Sequence, residues 1–200
     1  MLPCDPESGS SSPPALSPRL RSRGGLSLEP KGGLDPLKKS PEITVRRAVR
    51  DDSAAIVGFN LSIAAETEGK TLSAGLLTSG VAAVFDDPSK GFYVIAEDGG
   101  RPVGGLLVTA EWSDWRNAYF WWIQSVYVEP ASRRRGVYGR LHRWVENTAR
   151  SDGNVCGLRL YVDAENAAAR SVYERMGMSR SRYDFFESAG RAGGGRTEDE

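Results

Sequence analysis

Cysteine is scarce in this sequence, and neither sign of charge prevails. Cys4 and Cys156 are the two cysteines among 200 residues, which is too few for a disulfide framework or a thiolate metal site. Lysine and arginine together number 26, and aspartate and glutamate also number 26. A chain without a basic excess lacks the field that drives non-specific binding to nucleic acid or anionic membranes. We therefore expect no nucleic-acid partner, no membrane partner and no metal.

Long apolar runs are also missing. The longest candidate, residues 118–123, is far short of the roughly 18 consecutive apolar residues that a membrane-spanning helix needs. The N-terminus has no apolar stretch of the secretory type, although residues 8–28 are rich in serine and arginine and free of acidic residues, as organelle transit peptides are. Asp5 and Glu7 at the very start disfavour organelle targeting, so a cytoplasmic location is the expectation.

Aromatic residues are absent from the first part of the chain. All of them lie between Phe59 and Phe186, whereas residues 1–42 hold eight of the chain's 11 prolines. Such a segment cannot bury enough apolar surface to offset its loss of conformational entropy on ordering. We therefore predict a disordered Ser/Pro/Gly-rich arm at 1–42, one folded domain at 43–188 and a disordered tail at 189–200.

The apolar pattern of the domain predicts an α+β (mixed α/β) fold. Alternating and aromatic-rich segments predict strands, and stripes at helical spacing predict helices, in the order β, α, α, β, β, β, α, β, α, β. Hairpins combined with crossover helices imply a mixed, mostly antiparallel sheet with helices on both faces. The predicted strands are residues 43–49, 91–97, 102–112, 119–128, 158–162 and 183–186.

An arginine- and glycine-rich loop joins the strand at 119–128 to an amphipathic helix. A helix that opens directly from such a loop leaves unpaired backbone N–H groups at its positive end, which suits a pyrophosphate. Gly136 and Gly139 let the backbone approach the anion, and Arg133, Arg134 and Arg135 add positive charge.

Residues 126–141 and 164–178 resemble the two signatures of the GCN5-related N-acetyltransferase (GNAT) superfamily. The first is similar to a strand followed by Pro-x-x-Arg-x-x-Gly-x-Gly, and the second to Asn-x-x-Ala-x-x-x-Tyr-x-x-x-Gly-Phe. The resemblance implies the GNAT fold and acetyl-CoA as co-substrate, with the pantetheine arm lying between two strands that splay apart. The coenzyme-binding residues that it implies are Val126, Tyr127, Val128, Arg133, Arg134, Arg135, Gly136, Val137, Tyr138, Gly139, Asn166 and Tyr173.

One position departs from the first signature. Tyr138 stands where the signature has a small residue, and Gly139 follows one place later. We expect a bulky ring beside the phosphates to alter coenzyme placement, although the backbone N–H of Tyr138 remains available.

The resemblance further implies direct acetyl transfer to an amine in a ternary complex. It makes Tyr173 the candidate general acid for the coenzyme sulfur, although Tyr173 also fits the core stripe of its helix. Gln124 stands where many relatives carry a carboxylate and cannot accept a proton, so Glu66 and Glu68 are candidate bases, with Glu111 and Asp114 as others. The alternative is a non-catalytic acetyl-CoA-binding or regulatory domain.

Aromatic and acidic residues near the end of the third predicted strand indicate an acceptor site. Trp112, Asp114 and Trp115 in one turn, together with Gln124, are predicted to bind the acceptor. Aromatic walls with nearby carboxylates favour a cationic small-molecule amine, and a protein amino group is the other expected partner. A homodimer is compatible with the sequence. His142, the only histidine, is expected to be exposed on the polar side of its helix.

Overall fold

One mixed sheet organises the part of the chain that the structure describes. The structure is a computed structural model, and it describes residues 42–188. The predicted arm, apart from Glu42, and the predicted tail lie outside these residues. The sheet has the order β1-β2-β3-β4-β5, and the β4–β5 pair is parallel while the other neighbouring pairs are antiparallel. The strands are β1 (Ile43–Arg47), β2 (Phe92–Asp98), β3 (Arg101–Ser113), β4 (Ala118–Val128) and β5 (Val155–Arg159).

Helices cover both faces of this sheet. The helices are α1 (Ser53–Ile63), α2 (Ala74–Asp86), α3 (Val137–Asp152) and α4 (Ala167–Arg175). On one face, Leu141 and Val145 of α3 pack in a core cluster with strand residues. On the other face, Ile56 of α1 and Val81 of α2 join a second cluster. Within the described residues, no helix is long and apolar enough to cross a membrane.

The predicted fold class and the elements as far as α3 are confirmed, but the last two predicted strands are not. β5 occupies Val155–Arg159 rather than residues 158–162, because it pairs with the first part of β4 only. Residues 183–186 form no strand, and Tyr183 and Phe186 are exposed. Their aromatic composition favours extended backbone, but a strand also needs a neighbour that supplies hydrogen bonds.

A β-bulge interrupts β4 at Ser125. Gly105 lies opposite Tyr127 while Leu107 lies opposite Gln124, so β4 has one extra residue at this point. Ser125 takes a left-handed backbone conformation with φ 48°. A bulge of this kind bends its strand and shifts the alternation of side chains. The residues of β4 that face α3 are therefore Trp121 and Ile123 before the bulge and Val126 and Val128 after it. The spacing between Ile123 and Val126, across the bulge, is three residues instead of two.

We predict that Gly104→Ala destabilises the fold beside this bulge. A Cβ on Gly104 would lie 2.7 Å from the Tyr127 carbonyl oxygen, so β4 would have to move at a cost of about 1–3 kcal/mol. Gly58→Ala, in the exposed middle of α1 with nothing within 4 Å of the new Cβ, is the control and should be neutral or stabilising by up to about 1 kcal/mol. Urea unfolding followed by tryptophan fluorescence measures both; equal stabilities for the two variants would contradict this packing.

Candidate active site

β4 and β5 are paired over only part of their length. Their parallel ladder runs from Tyr119 opposite Val155 to Trp122 opposite Arg159, and β4 then continues to Val128. Within residues 42–188, no strand pairs with this second part of β4 on the β5 side. An unpaired strand edge can bind an extended, amide-containing chain through the hydrogen bonds that a neighbouring strand would make.

The unpaired edge of β4 leads into the loop before α3. Gly136 is the N-cap of α3 with φ 76°, no side chain caps the helix, and its first turn has no acidic residue. A Cβ on Gly136 or Gly139 would meet nothing within 4 Å. The first N–H groups of a 16-residue helix therefore adjoin open space, and such groups bind anions.

The arginines around this loop fall into two groups. Arg133 donates to the Val128 carbonyl at 2.9 Å and to Glu66 at 2.5 Å, and Arg135 pairs with Asp98 at 2.6 Å. The side chains of two further arginines make no hydrogen bond or ion pair with any described residue. These two, Arg134 and Arg140, supply the positive charge that remains for an anion.

Glu66, a predicted base, lies in an ion pair beside the same loop. It accepts hydrogen bonds from the Tyr127 hydroxyl at 3.0 Å and from Arg133. The Arg133 guanidinium holds the pKa of the Glu66 carboxyl below its usual value. A carboxylate with a lowered pKa is a weaker proton acceptor. Glu68, the other predicted base, ends the same π-helical turn, Ala64–Glu68.

Gln124 lies next to the bulge on the face that α1 covers. Its Nε2 donates to the Thr109 hydroxyl at 2.6 Å, which fixes the orientation of the amide. Its Oε1 is therefore left as an acceptor. A small pocket on this side of the sheet includes Asn60 and Ser125 in its lining.

Tyr173 presents a hydroxyl from α4. The side chain is half-buried, and its hydroxyl makes no hydrogen bond with any described residue. Burial raises the pKa of Tyr173 above its usual value. Tyr173 therefore carries a proton at neutral pH that it can donate, and its raised pKa makes it a weaker acid than an exposed tyrosine.

The expectation about His142 is wrong, and the effect of Tyr138 on coenzyme placement stays a prediction. The Tyr138 ring does not lie in the open loop; it packs against the Tyr173 ring with a centroid distance of 5.7 Å, and its hydroxyl is buried. His142 is only 2% exposed rather than on the surface. It lies one helical turn after Tyr138, beside Leu141, so the apolar stripe of α3 extends further round the helix than its hydrophobic residues indicate.

Asn166, predicted to contact the pantetheine arm, is the N-cap of α4. Its Oδ1 accepts a hydrogen bond from the backbone N–H of Ala169 at 2.9 Å. The side-chain NH₂ group makes no hydrogen bond within residues 42–188. Asn166 therefore orients the helix that carries Tyr173 and keeps a donor for a ligand.

The structure does not bring the predicted acceptor-binding turn to this site. Trp112 lies opposite Tyr119, and Asp114 and Trp115 lie beyond it at the tip of the β3–β4 hairpin. Tyr119 is five residues before Gln124 on β4, which is about 17 Å along a strand. The Trp115 side chain is 87% exposed. The tip thus lies at the end of the sheet opposite the N-terminus of α3.

An ionic and aromatic group lies between the hairpin tip and the unpaired edge, and the sequence indicated only its Glu111, as a candidate base. Glu111 accepts hydrogen bonds from Trp122 Nε1 at 2.5 Å and from Arg159 at 2.8 Å, and these contacts hold its pKa below the usual value. The Tyr161 ring lies 6.1 Å from the Trp122 ring. No local pattern reveals this group, because it depends on the register of β3, β4 and β5.

Comparison with known proteins identifies the family of this chain. The model of the acetyltransferase (GNAT) family matches residues 62–178. A search of curated proteins gave no significant match. The crystal structure of a possible acetyltransferase from Clostridium difficile 630 is 41% identical, with a TM-score of 0.71, over 75% of this chain and 99% of that chain.

More distant structures share the fold alone. A GCN5-related N-acetyltransferase from Ralstonia eutropha JMP134 is 21% identical with a TM-score of 0.60, over 74% of this chain and 100% of that chain. The structure of AAC(6')-Iy in complex with the bisubstrate analog CoA-S-monomethyl-acetylneamine is 14% identical with a TM-score of 0.59, over 74% of this chain and 99% of that chain. On the family match and the 41% identity, the chain belongs to the acetyltransferase (GNAT) family.

Proposed function

We propose that the protein transfers an acetyl group from acetyl-CoA to a primary amine by direct attack in a ternary complex. Membership of the acetyltransferase family supports acetyl transfer in general. The observation that carries the finer proposal is that the unpaired edge of β4 leads straight into the uncapped N-terminus of α3. One ligand with an extended amide arm and a diphosphate at one end of that arm would use both features.

The coenzyme would bind in two parts. The backbone groups of Val126 and Val128 would pair with the amides of the pantetheine arm, as a neighbouring strand does. The diphosphate would accept hydrogen bonds from the N–H groups of the first turn of α3, assisted by Arg134 and Arg140. Gly136 and Gly139 suit this placement because no atom of residues 42–188, apart from the adjoining chain, lies within 4 Å of where their Cβ atoms would be.

The reaction requires one bond to form and one to break. The neutral amine nitrogen attacks the carbonyl carbon of the thioester, and the C–N bond forms as the carbonyl oxygen becomes an oxyanion. Backbone N–H groups beside the bulge would stabilise that oxyanion. The C–S bond then breaks, and the sulfur receives the hydroxyl proton of Tyr173.

The proton that the amine loses needs an acceptor. The Oε1 of Gln124 can accept a hydrogen bond from the amine and orient it, but it cannot take the proton. Glu66 is the proposed acceptor, reached directly or through water. Because Arg133 lowers the pKa of Glu66, binding of an anion that draws Arg133 away would make Glu66 a stronger base.

A non-catalytic coenzyme-binding domain is the second candidate. Two observations favour it, because both leave the site without a ready proton acceptor: Gln124 is an amide, and Glu66 is held in an ion pair. Both candidates bind coenzyme A, and only the enzyme releases its free thiol in the presence of an amine.

We predict that Gly139→Glu weakens coenzyme A binding by at least about tenfold, because a carboxylate in the first turn of α3 occupies the open space and repels the diphosphate. Gly75→Glu, in the first turn of α2 with equally open space around its Cβ, is the matched control. Neither variant should lose stability, since an acidic residue suits a helix N-terminus. Isothermal titration calorimetry measures the affinity, and wild-type affinity in Gly139→Glu would contradict the assignment of the diphosphate to α3.

We predict that acetyl-CoA and a panel of primary amines give amine-dependent release of free thiol, and that Tyr173→Phe lowers kcat by about 100-fold with the KM for acetyl-CoA little changed. Tyr183→Phe, which removes a hydroxyl from an exposed tyrosine, is the control and should keep the wild-type kcat. Coenzyme binding without thiol release for any amine would favour the non-catalytic candidate. An unchanged kcat in Tyr173→Phe would remove its role as acid.

A further inference from the structure

Tyr138 fills the space between the start of α3 and α4, where the resembled signature has a small residue. We propose that Tyr138 is a positioning residue that holds the Tyr173 ring in place for proton transfer to the coenzyme sulfur. This inference rests on the proposed role of Tyr173 as general acid, and it adds a residue that the signature does not supply.

The ring geometry fits a positioning role. The Tyr138 and Tyr173 rings are 5.7 Å apart with an interplanar angle of 69°, which is an edge-to-face contact. Aromatic pairs at such distances prefer a defined relative orientation of the two rings. Small displacements of a reacting group lower rates strongly, since proton transfer depends on the distance between donor and acceptor. Loss of this contact would therefore let the Tyr173 hydroxyl move away from the sulfur.

The surroundings of Tyr138 keep this contact uncharged. Tyr173 faces it from α4, and His142 faces it from the next turn of α3 with a ring distance of 6.1 Å. Burial lowers the pKa of His142, although Glu146 opposes this, and burial raises the pKa of both tyrosines. At neutral pH the cluster thus holds two phenols and a neutral imidazole, and Tyr173 carries the proton that the reaction needs.

The aromatic ring of Tyr138, rather than its hydroxyl, carries the proposed role. The hydroxyl is buried without a hydrogen-bond partner among the described residues, and so is Nε2 of His142. A buried hydroxyl without a partner does not orient a neighbour, and its removal relieves a desolvation penalty. Phenylalanine at position 138 should therefore preserve the contact, whereas leucine should fill the space without a ring edge.

Steady-state kinetics of Tyr138→Leu and Tyr138→Phe tests the proposal. We predict that Tyr138→Leu lowers kcat by about tenfold and leaves the KM for acetyl-CoA within about twofold of wild type, while Tyr138→Phe keeps the wild-type kcat. In a Tyr173→Phe background, Tyr138→Leu should cause no further loss, because the acid that it positions is already absent. A wild-type kcat in Tyr138→Leu, or a raised KM with unchanged kcat, would overturn the proposal.

A second measurement does not depend on activity. The pKa of Tyr173 can be measured by ultraviolet titration if the titration of the matching Tyr173→Phe variant is subtracted in each background. This pKa should be lower in Tyr138→Ala than in wild type, because the covering ring is gone. If the pKa of Tyr173 were the same in both proteins, the contact between the two rings would be contradicted, and this result requires no known amine substrate. If the titration shifts but Tyr173→Phe has the wild-type kcat, the contact stands, but the acid role fails and the positioning role with it.

Discussion

The parting of β4 from β5 is the constraint on which the rest of the site depends. A parallel ladder that stops at Trp122 and Arg159 leaves the second part of β4 without a partner strand on that side, and unpaired backbone groups need another partner. The bulge at Ser125 lies within this part of β4 and re-aims its side chains. Because β4 runs directly into the loop before α3, the unpaired edge and the uncapped helix N-terminus follow one another along the chain, and the proposed coenzyme site uses both.

The distribution of charge matters more here than its zero total. Arg133 and Arg135 are neutralised by Glu66 and Asp98, so fewer arginines are free at the loop than the sequence indicates. The Arg133–Glu66 pair also joins the turn after α1 to the loop before α3. An anion at this loop would therefore change the proton affinity of the Glu66 carboxylate.

The sequence predicted those features that depend on local pattern. Alternation and helical stripes located the first four strands and the helices, and the two signatures indicated the family and Tyr173. The bounds of β5 could not be predicted, because parallel pairing depends on how far β4 stays beside it. The burial of His142 was missed because hydrophobic patterning gives a histidine little weight. The contact between Tyr138 and Tyr173 could not be predicted, because it depends on how α3 and α4 approach each other. The separation of the Trp112–Trp115 turn from Gln124 was also missed, because the sequence does not show how far a hairpin extends beyond the rest of the sheet.

The most direct test of the central claim is a titration of isotopically labelled protein with coenzyme A, followed by the NMR chemical shifts of its backbone amides. If the coenzyme lies along the free edge of β4 with its diphosphate at α3, the largest changes occur at residues 126–128 and 136–140, and residues 113–117 at the hairpin tip do not change. Changes confined to the hairpin tip, or no change at millimolar coenzyme, would contradict the account.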